Sequence, residues 1–180
     1  SATIVHDATG LRLQLTGDAS GYAWAEQAVT IGAGDVLLEH VLKFRVAGYG
    51  GAKLLFRVGS TSTGVEVLAE VELDVGEHSI GFTPGSGNTT VYIQFRQTNA
   101  PSRPMYIDNV ELIDNAPMEV VSPYTTANLT NLQIFQAADV AYLLHPSYAP
   151  LRLERRGHKS WSIVEAFFED GPYNEINPGT

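Results

Sequence analysis

Apolar and polar residues alternate in short runs along most of the first 115 positions. Leu11, Leu13 and Leu15 are separated by Arg12 and Gln14. Alternation with a period of two places one face of a strand against a core and the other in solvent. The same pattern predicts further strands, which lie at positions 29–31, 42–46, 54–58, 71–73, 91–95 and 106–113.

Residues that favour turns separate these runs. Gly, Asp, Asn and Pro cluster at positions 16–18, 32–35, 47–51 and 84–88. Short strands that each carry one apolar face, with turns between them, indicate two sheets packed face to face. We therefore predict an all-β protein whose first domain, residues 1–115, is a β-sandwich.

The composition changes after Asn115. Pro117 and Pro123 mark a linker, and residues 125–131 fit a short helical turn. Four more strands are predicted, at positions 132–136, 140–145, 151–155 and 161–168. Four short strands in about 40 residues match the size of one propeller blade. A single blade cannot close a ring, so we expect residues 116–180 to be a linker and a propeller-like segment of a longer polypeptide.

Composition argues against several classes of protein. The chain has 180 residues, with 20 acidic residues against 11 Lys and Arg, and a net charge of -9. Excess negative charge repels phosphate backbones, so we expect no nucleic-acid partner. The absence of cysteine removes disulfides, thiolate nucleophiles and Cys-ligated metal sites. No apolar run approaches the roughly 18 residues that a membrane-spanning helix needs, so we expect no membrane insertion.

Motifs for catalysis are missing from the sequence. The five histidines are scattered without metal-binding spacing, and no nucleophile-elbow, phosphate-binding or dinucleotide-binding motif occurs. Glu70 and Glu72 share one face of a predicted strand and could form the carboxylate pair of a glycoside hydrolase. They fit better as the solvated side of a strand that buries Val71 and Leu73. We therefore predict a non-enzymatic protein without catalytic residues or cofactors.

The outward sides of the predicted strands combine aromatic rings with arginines and an amide. If Phe44, Phe56 and Phe95 face the core, their neighbours along each strand face outward. An exposed ring can stack on the apolar face of a sugar, while Arg and Gln donate hydrogen bonds to its hydroxyl or carboxylate oxygens. The alternatives are an ordinary polar sheet face and a face covered by another subunit. The candidate glycan-binding residues are Tyr22, Trp24, Arg45, Arg57, Tyr92, Gln94 and Arg96.

Three segments of the first domain resemble jelly-roll carbohydrate-binding modules. They are residues 21–29, residues 42–46 and the closing run YIDNVEL at 106–112. The resemblance covers most of residues 1–115 and implies a jelly-roll sandwich with a sugar-binding function. It also implies a structural calcium near the last strand, for which Asp108 is the candidate ligand.

Residues 122–173 resemble a segment of tailed-bacteriophage tail proteins of the tubular nozzle or hub type. The resemblance is carried by SPY at 122–124, LQIFQAADV at 132–140, HPSYAPLRLER at 145–155 and GHKSW at 157–161. It implies propeller-like β structure within a ring-shaped assembly, with other tail subunits as partners. Tail proteins of this type also carry inserted jelly-roll modules, and the order in this chain, a module followed by a propeller-like segment, fits such an insertion.

Together these features lead to a functional hypothesis and an alternative. The first is a virion structural protein of a phage tail, whose jelly-roll module contacts glycans of the host surface. The alternative is a carbohydrate-binding module of a secreted polysaccharide-degrading enzyme, although such a module needs no appendage like residues 136–161.

Overall fold

The computed structural model describes residues 3–10, 12–17, 21–48, 53–97, 103–114 and 117–167. In this part of the chain no helix has the length and apolar character needed to span a membrane. A 3-10 helix occupies Thr126–Asn131, close to the predicted helical turn. The strands are β1 (Thr3–Asp7), β2 (Arg12–Thr16), β3 (Trp24–Thr30), β4 (His40–Gly48), β5 (Leu54–Gly59), β6 (Leu68–Leu73), β7 (Gly76–Phe82), β8 (Thr90–Gln97), β9 (Met105–Asp114), β10 (Gln133–Ala137), β11 (Val140–His145), β12 (Tyr148–Gly157) and β13 (Ser160–Glu165).

Strands β2 to β9 form two facing four-stranded antiparallel arrays. One has the order β2-β9-β4-β7, and the other has the order β3-β8-β5-β6. The chain crosses repeatedly from one array to the other, and strands distant in sequence become neighbours, as β2 and β9 do. Eight strands connected in this way are a jelly roll. The prediction of an all-β sandwich is therefore confirmed.

Three phenylalanines join the two arrays at the centre of the core. The ring of Phe44 on β4 lies 5.2 Å from that of Phe56 on β5 and 5.1 Å from that of Phe95 on β8, measured between centroids. All three side chains are buried. Rings at these separations attract one another beyond the gain from area burial. Because side chains alternate along a strand, the neighbours of these phenylalanines must point away from the core.

The strands after residue 117 extend the first array into a nine-stranded sheet. β10 to β13 form an antiparallel meander, and β13 pairs with the edge strand β7. Since β1 pairs with β2, the full order is β1-β2-β9-β4-β7-β13-β12-β11-β10. The meander has four strands, as a propeller blade has. It pairs with the jelly roll through β13 and β7. Residues 115 and 116 lie outside the described part of the chain, so a domain boundary there stays a prediction.

Strand β7 was not predicted from the sequence. Residues 78–82 are all buried, so apolar and polar positions do not alternate. The outward side is covered by chain that follows β9, where the hydroxyl of Ser79 donates to Sδ of Met118 at 2.9 Å. Nearby, Nζ of Lys43 lies 3.0 Å from a carboxylate oxygen of Glu119. This covering segment includes the predicted linker, which packs across the sheet.

His78 connects β7 to the added meander through its buried ring. Nε2 lies 2.8 Å from the carbonyl oxygen of Asp74, and Nδ1 lies 2.8 Å from Oγ of Ser162 on β13. A carbonyl can only accept, so Nε2–H donates to Asp74 and Nδ1 accepts from the Ser162 hydroxyl. Burial lowers the pKa of His78 to about 4, and the ring is therefore neutral at pH 7.

We expect the free energy of unfolding to decrease as the pH falls from about 6.5 towards 4. In this window the unfolded chain protonates position 78 while the folded chain does not, and a shift of this size corresponds to about 3 kcal/mol. Urea denaturation across the window should show a weaker pH dependence for His78→Gln than for the wild type. His158→Gln, at an exposed position, is the control. Identical pH profiles for wild type and His78→Gln would contradict this assignment.

Gly76 allows β13 to approach β7. Its φ is 152°, and a Cβ built there would overlap the carbonyl oxygen of Ile163 and crowd Val164. We expect Gly76→Ala to lower the free energy of unfolding by about 2–4 kcal/mol, because the β7–β13 ladder must shift. Chemical denaturation measures the loss. Gly34→Ala is the matched control, since its Cβ would meet no atom within 4 Å. An equal effect of the two substitutions would show that the close approach is unimportant.

Candidate functional site

The outward face of the four-stranded sheet brings together side chains from three strands. Register pairs Trp24 of β3 with Arg96 of β8, and Gln94 of β8 with Arg57 of β5. The residues that alternate with them, such as Phe95, belong to the core. One shallow surface therefore carries aromatic, cationic and amide groups from strands that are distant in sequence.

A depression of about 300 Å³ opens on this face. It is lined by Tyr22, Trp24, Arg57, Thr63 and Arg96. Tyr22 is 46% exposed and Trp24 is 39% exposed, which is high for rings of this size. Their exposure leaves apolar ring surface available to a ligand.

The two arginines of the depression share one carboxylate. Nη2 of Arg96 lies 3.1 Å from a carboxylate oxygen of Glu70, and Nη1 of Arg57 lies 3.7 Å from one. Nε of Arg57 also donates to the amide oxygen of Gln94 at 2.8 Å. The guanidinium of Arg96 lies 4.7 Å from the ring centroid of Tyr22, within the range of a cation–π contact. These contacts hold both cations in place before any ligand arrives.

The loop between β5 and β6 forms one wall of the depression. Glu26 of β3 anchors it by accepting from the hydroxyl of Ser62 at 2.7 Å and the backbone N–H of Thr63 at 2.8 Å. The side-chain amide of Gln94 donates to the carbonyl oxygen of Gly64 at 3.1 Å. Within the loop, hydrogen bonds from its own backbone and from the backbone N–H of Ser60 hold the pKa of Glu66 below its usual value. The wall that presents Thr63 is therefore fixed at several points.

The structure gathers four of the seven candidate residues, namely Tyr22, Trp24, Arg57 and Arg96, around this depression. Gln94 is fully buried beneath the loop and supports the site without lining it. Tyr92 is half-buried further along β8, opposite Ala28.

The grouping of Arg45 with this face is corrected by the sheet topology. Arg45 lies on β4 in the nine-stranded sheet, where Nε is 3.7 Å from a carboxylate oxygen of Glu77. Burial is the main cause that raises the pKa of Glu77, against the opposing effect of Arg45. Alternation gives the direction of a side chain relative to its own sheet, and it does not say which sheet the strand joins.

Three residues of the site were not assigned to it from the sequence. Thr63 and Glu26 act through a loop whose path over the sheet has no local sequence signal. Glu70, the candidate catalytic partner of Glu72, contacts Arg57 and Arg96 instead, whereas Glu72 lies 3.9 Å from Nζ of Lys53. The two carboxylates therefore belong to separate ion pairs.

A larger cleft, of about 680 Å³, opens between the two sheets beside β3. Core side chains such as Leu42 and Ile107 form its inner wall, and its aromatic lining residue, Phe95, is buried. Asp108 also lines this cleft and accepts from the backbone N–H of Asn109 at 2.8 Å. Within the described ranges, no group of three or more His, Cys, Asp or Glu residues is placed to hold a metal ion. Calcium binding by Asp108 stays a prediction.

Comparison with solved structures finds carbohydrate-binding modules. One is a family 16 carbohydrate-binding module, with a TM-score of 0.44 and 14% identity over 63% of this chain and 85% of that chain. Another is the family 11 module from Clostridium thermocellum in complex with a β-1,3-1,4-mixed-linked tetrasaccharide. It has a TM-score of 0.36 and 20% identity over 63% of this chain and 82% of that chain. No protein-family model matches the sequence, and no curated protein matches it. Neither of these two structures is a phage tail protein.

Proposed function

We propose that this protein binds carbohydrate through the depression lined by Tyr22, Trp24, Arg57, Thr63 and Arg96. The observation that carries the proposal is the exposure of two aromatic rings that line one depression together with fixed hydrogen-bond donors. A sugar ring has an apolar face of C–H groups and an edge of hydroxyl groups. The depression offers a matching surface to each.

The aromatic side chains supply the apolar part of the contact. Stacking a sugar on Trp24 removes apolar ring surface from water, which contributes about 25 cal/mol for each Å² buried. Tyr22 is stacked on Arg96 and lies at the same depression. A ring held in this way loses little conformational freedom when a ligand binds, which favours affinity.

The polar side chains supply orientation. The hydroxyl of Thr63 can donate or accept, while the guanidinium groups of Arg57 and Arg96 only donate. Because Glu70, Gln94 and Tyr22 already position the arginines, binding does not have to order long flexible side chains. Such preorganisation is the usual basis of specificity in shallow sites.

We infer that binding occurs without hydrolysis. A glycosidase needs two carboxyl groups on opposite sides of the scissile bond, one of them free to transfer a proton. Glu70 is paired with two arginines, and Glu72 lies near Lys53. Neither carboxylate lines the depression. The same surface suits a host-recognition module on the exterior of a phage tail, in the virion, and a binding module of a secreted polysaccharide-degrading enzyme.

We expect Trp24→Ala to weaken glycan binding by about 5- to 30-fold, because stacking contacts of this kind contribute about 1–2 kcal/mol. A glycan array probed with the purified chain identifies ligands, and titration calorimetry with the best of them gives the loss. Phe167→Ala is the matched control, since it removes an exposed aromatic ring far from the depression in sequence. If the folded wild type binds no glycan, or if Trp24→Ala binds as tightly as wild type, the proposal is wrong.

Edge strand β10 favours a second role, in assembly. All five residues of β10 are exposed, including Ile134 at 64% and Phe135 at 66%, and none is charged. Within the described part of the chain β10 pairs on one side only, with β11. An uncharged edge of this kind pairs readily with another strand. We propose that β10 pairs with β10 of a second copy, which continues the sheet across subunits. The tail-assembly hypothesis rests on the sequence resemblance of residues 122–173; a two-fold contact of this type gives a dimer, and a ring would need a further, heterologous contact.

We expect the chain to dimerise with increasing concentration and Phe135→Lys to remain monomeric. The added charges of the two copies would face each other across the new strand pair, which disfavours pairing. Sedimentation velocity over a concentration series measures both. Phe167→Lys adds the same charge outside the strand and should dimerise like the wild type. A wild type that is monomeric at every concentration would exclude this contact.

A further inference from the structure

We propose that the preferred ligand of the depression is an acidic glycan, in which the carboxylate of a uronic-acid residue binds Arg57 and Arg96. This inference deepens the proposed carbohydrate-binding function and depends on it. Three observations carry it: the local charge, the unused donors of the two arginines, and the shielding of those arginines from water.

The charge of the depression is opposite to that of the chain. Acidic residues outnumber Lys and Arg by 20 to 11 over the whole sequence. Both charged residues that line the depression are nevertheless arginines. Glu70 contacts them and Glu26 holds the loop, but neither carboxylate lines the depression. The charged groups that the lining itself presents to a ligand are therefore both cationic, which favours an anionic group of a ligand at this point.

The arginines keep donors for a ligand. Arg57 uses Nε for Gln94 and Nη1 towards Glu70, and Arg96 uses Nη2 for Glu70. Among the described residues, Nη2 of Arg57 and Nη1 of Arg96 make no hydrogen bond, so these two groups are the donors left for a ligand, while Nε of Arg96 is buried. A guanidinium is planar and matches a carboxylate through two parallel hydrogen bonds, a geometry that a neutral hydroxyl group cannot reproduce.

Partial burial strengthens the expected contact. The side chain of Arg57 is 15% exposed, and that of Arg96 is 24% exposed. Charges that are partly removed from water are screened less than charges on an open surface. The arginines therefore distinguish an acidic sugar from a neutral one, while Trp24 stacks on either.

The test compares two forms of one ligand. Titration calorimetry of the full chain uses oligogalacturonides and the same oligosaccharides after their carboxyl groups are reduced to alcohols. We expect the acidic form to bind about tenfold more tightly, or better, as is typical for a charge-assisted pair. Its affinity should fall as salt is raised from about 0.05 M to about 0.5 M, while that of the reduced form should not.

Substitutions assign the preference to the arginines. Arg57→Gln and Arg96→Gln should remove most of the preference for the acidic form, and Trp24→Ala should weaken both forms equally. Arg155→Gln is the matched control, because Arg155 also lies near an indole ring, that of Trp161, and pairs with an acid, Asp139. It should behave like the wild type.

The outcomes separate this inference from the function on which it depends. Equal binding of the acidic and reduced forms by the folded wild type would overturn the acidic preference and leave carbohydrate binding intact. Absence of binding to every glycan on the array would overturn both. The salt dependence of the wild type needs no variant, so the inference stays testable if an arginine variant fails to fold.

Discussion

The packing of Phe44 against Phe56 and Phe95 is the contact on which the rest of the molecule depends. It joins the two arrays of the jelly roll and fixes the inward side of three strands. Once Phe56 and Phe95 face inward, Arg57 and Arg96 must face outward on neighbouring strands. The geometry of the candidate site therefore follows from the core, and a substitution that shifted these rings would also displace the arginines.

Strand β7 has two functions in the fold. It is the last strand of one jelly-roll array and the strand on which the C-terminal meander builds. Gly76 permits the close approach of β13, and the neutral ring of His78 receives a hydrogen bond from Ser162. The covering segment around Met118 completes the burial of this strand. Jelly roll and meander thus share one continuous sheet.

The candidate site differs from a catalytic centre in how its charges are used. The carboxylate of Glu70 is paired with two arginines, and that of Glu26 accepts hydrogen bonds from a loop. What remains available to a ligand is aromatic surface and hydrogen-bond donors. Such a surface suits the proposed sugar binding, which requires no proton transfer. The exposed strand β10 lies at the far end of the other sheet, so the proposed sugar site and the proposed assembly contact occupy separate surfaces.

Alternation along the chain determined most of the strands and the outward direction of Arg57 and Arg96, because the period of a strand is a local property. It also located all four strands of the meander within a few residues. It did not predict β7, because the outward side of that strand is covered by residues nearly 40 positions later in the chain. It also did not show that Arg45 and Arg57 lie in different sheets, because sheet membership depends on pairing between distant strands. Only the tertiary structure shows that the loop of Thr63 lies over Gln94 and that Glu70 forms ion pairs with two arginines. Those contacts join residues about 13 to 40 positions apart, and no local periodicity encodes which of them meet.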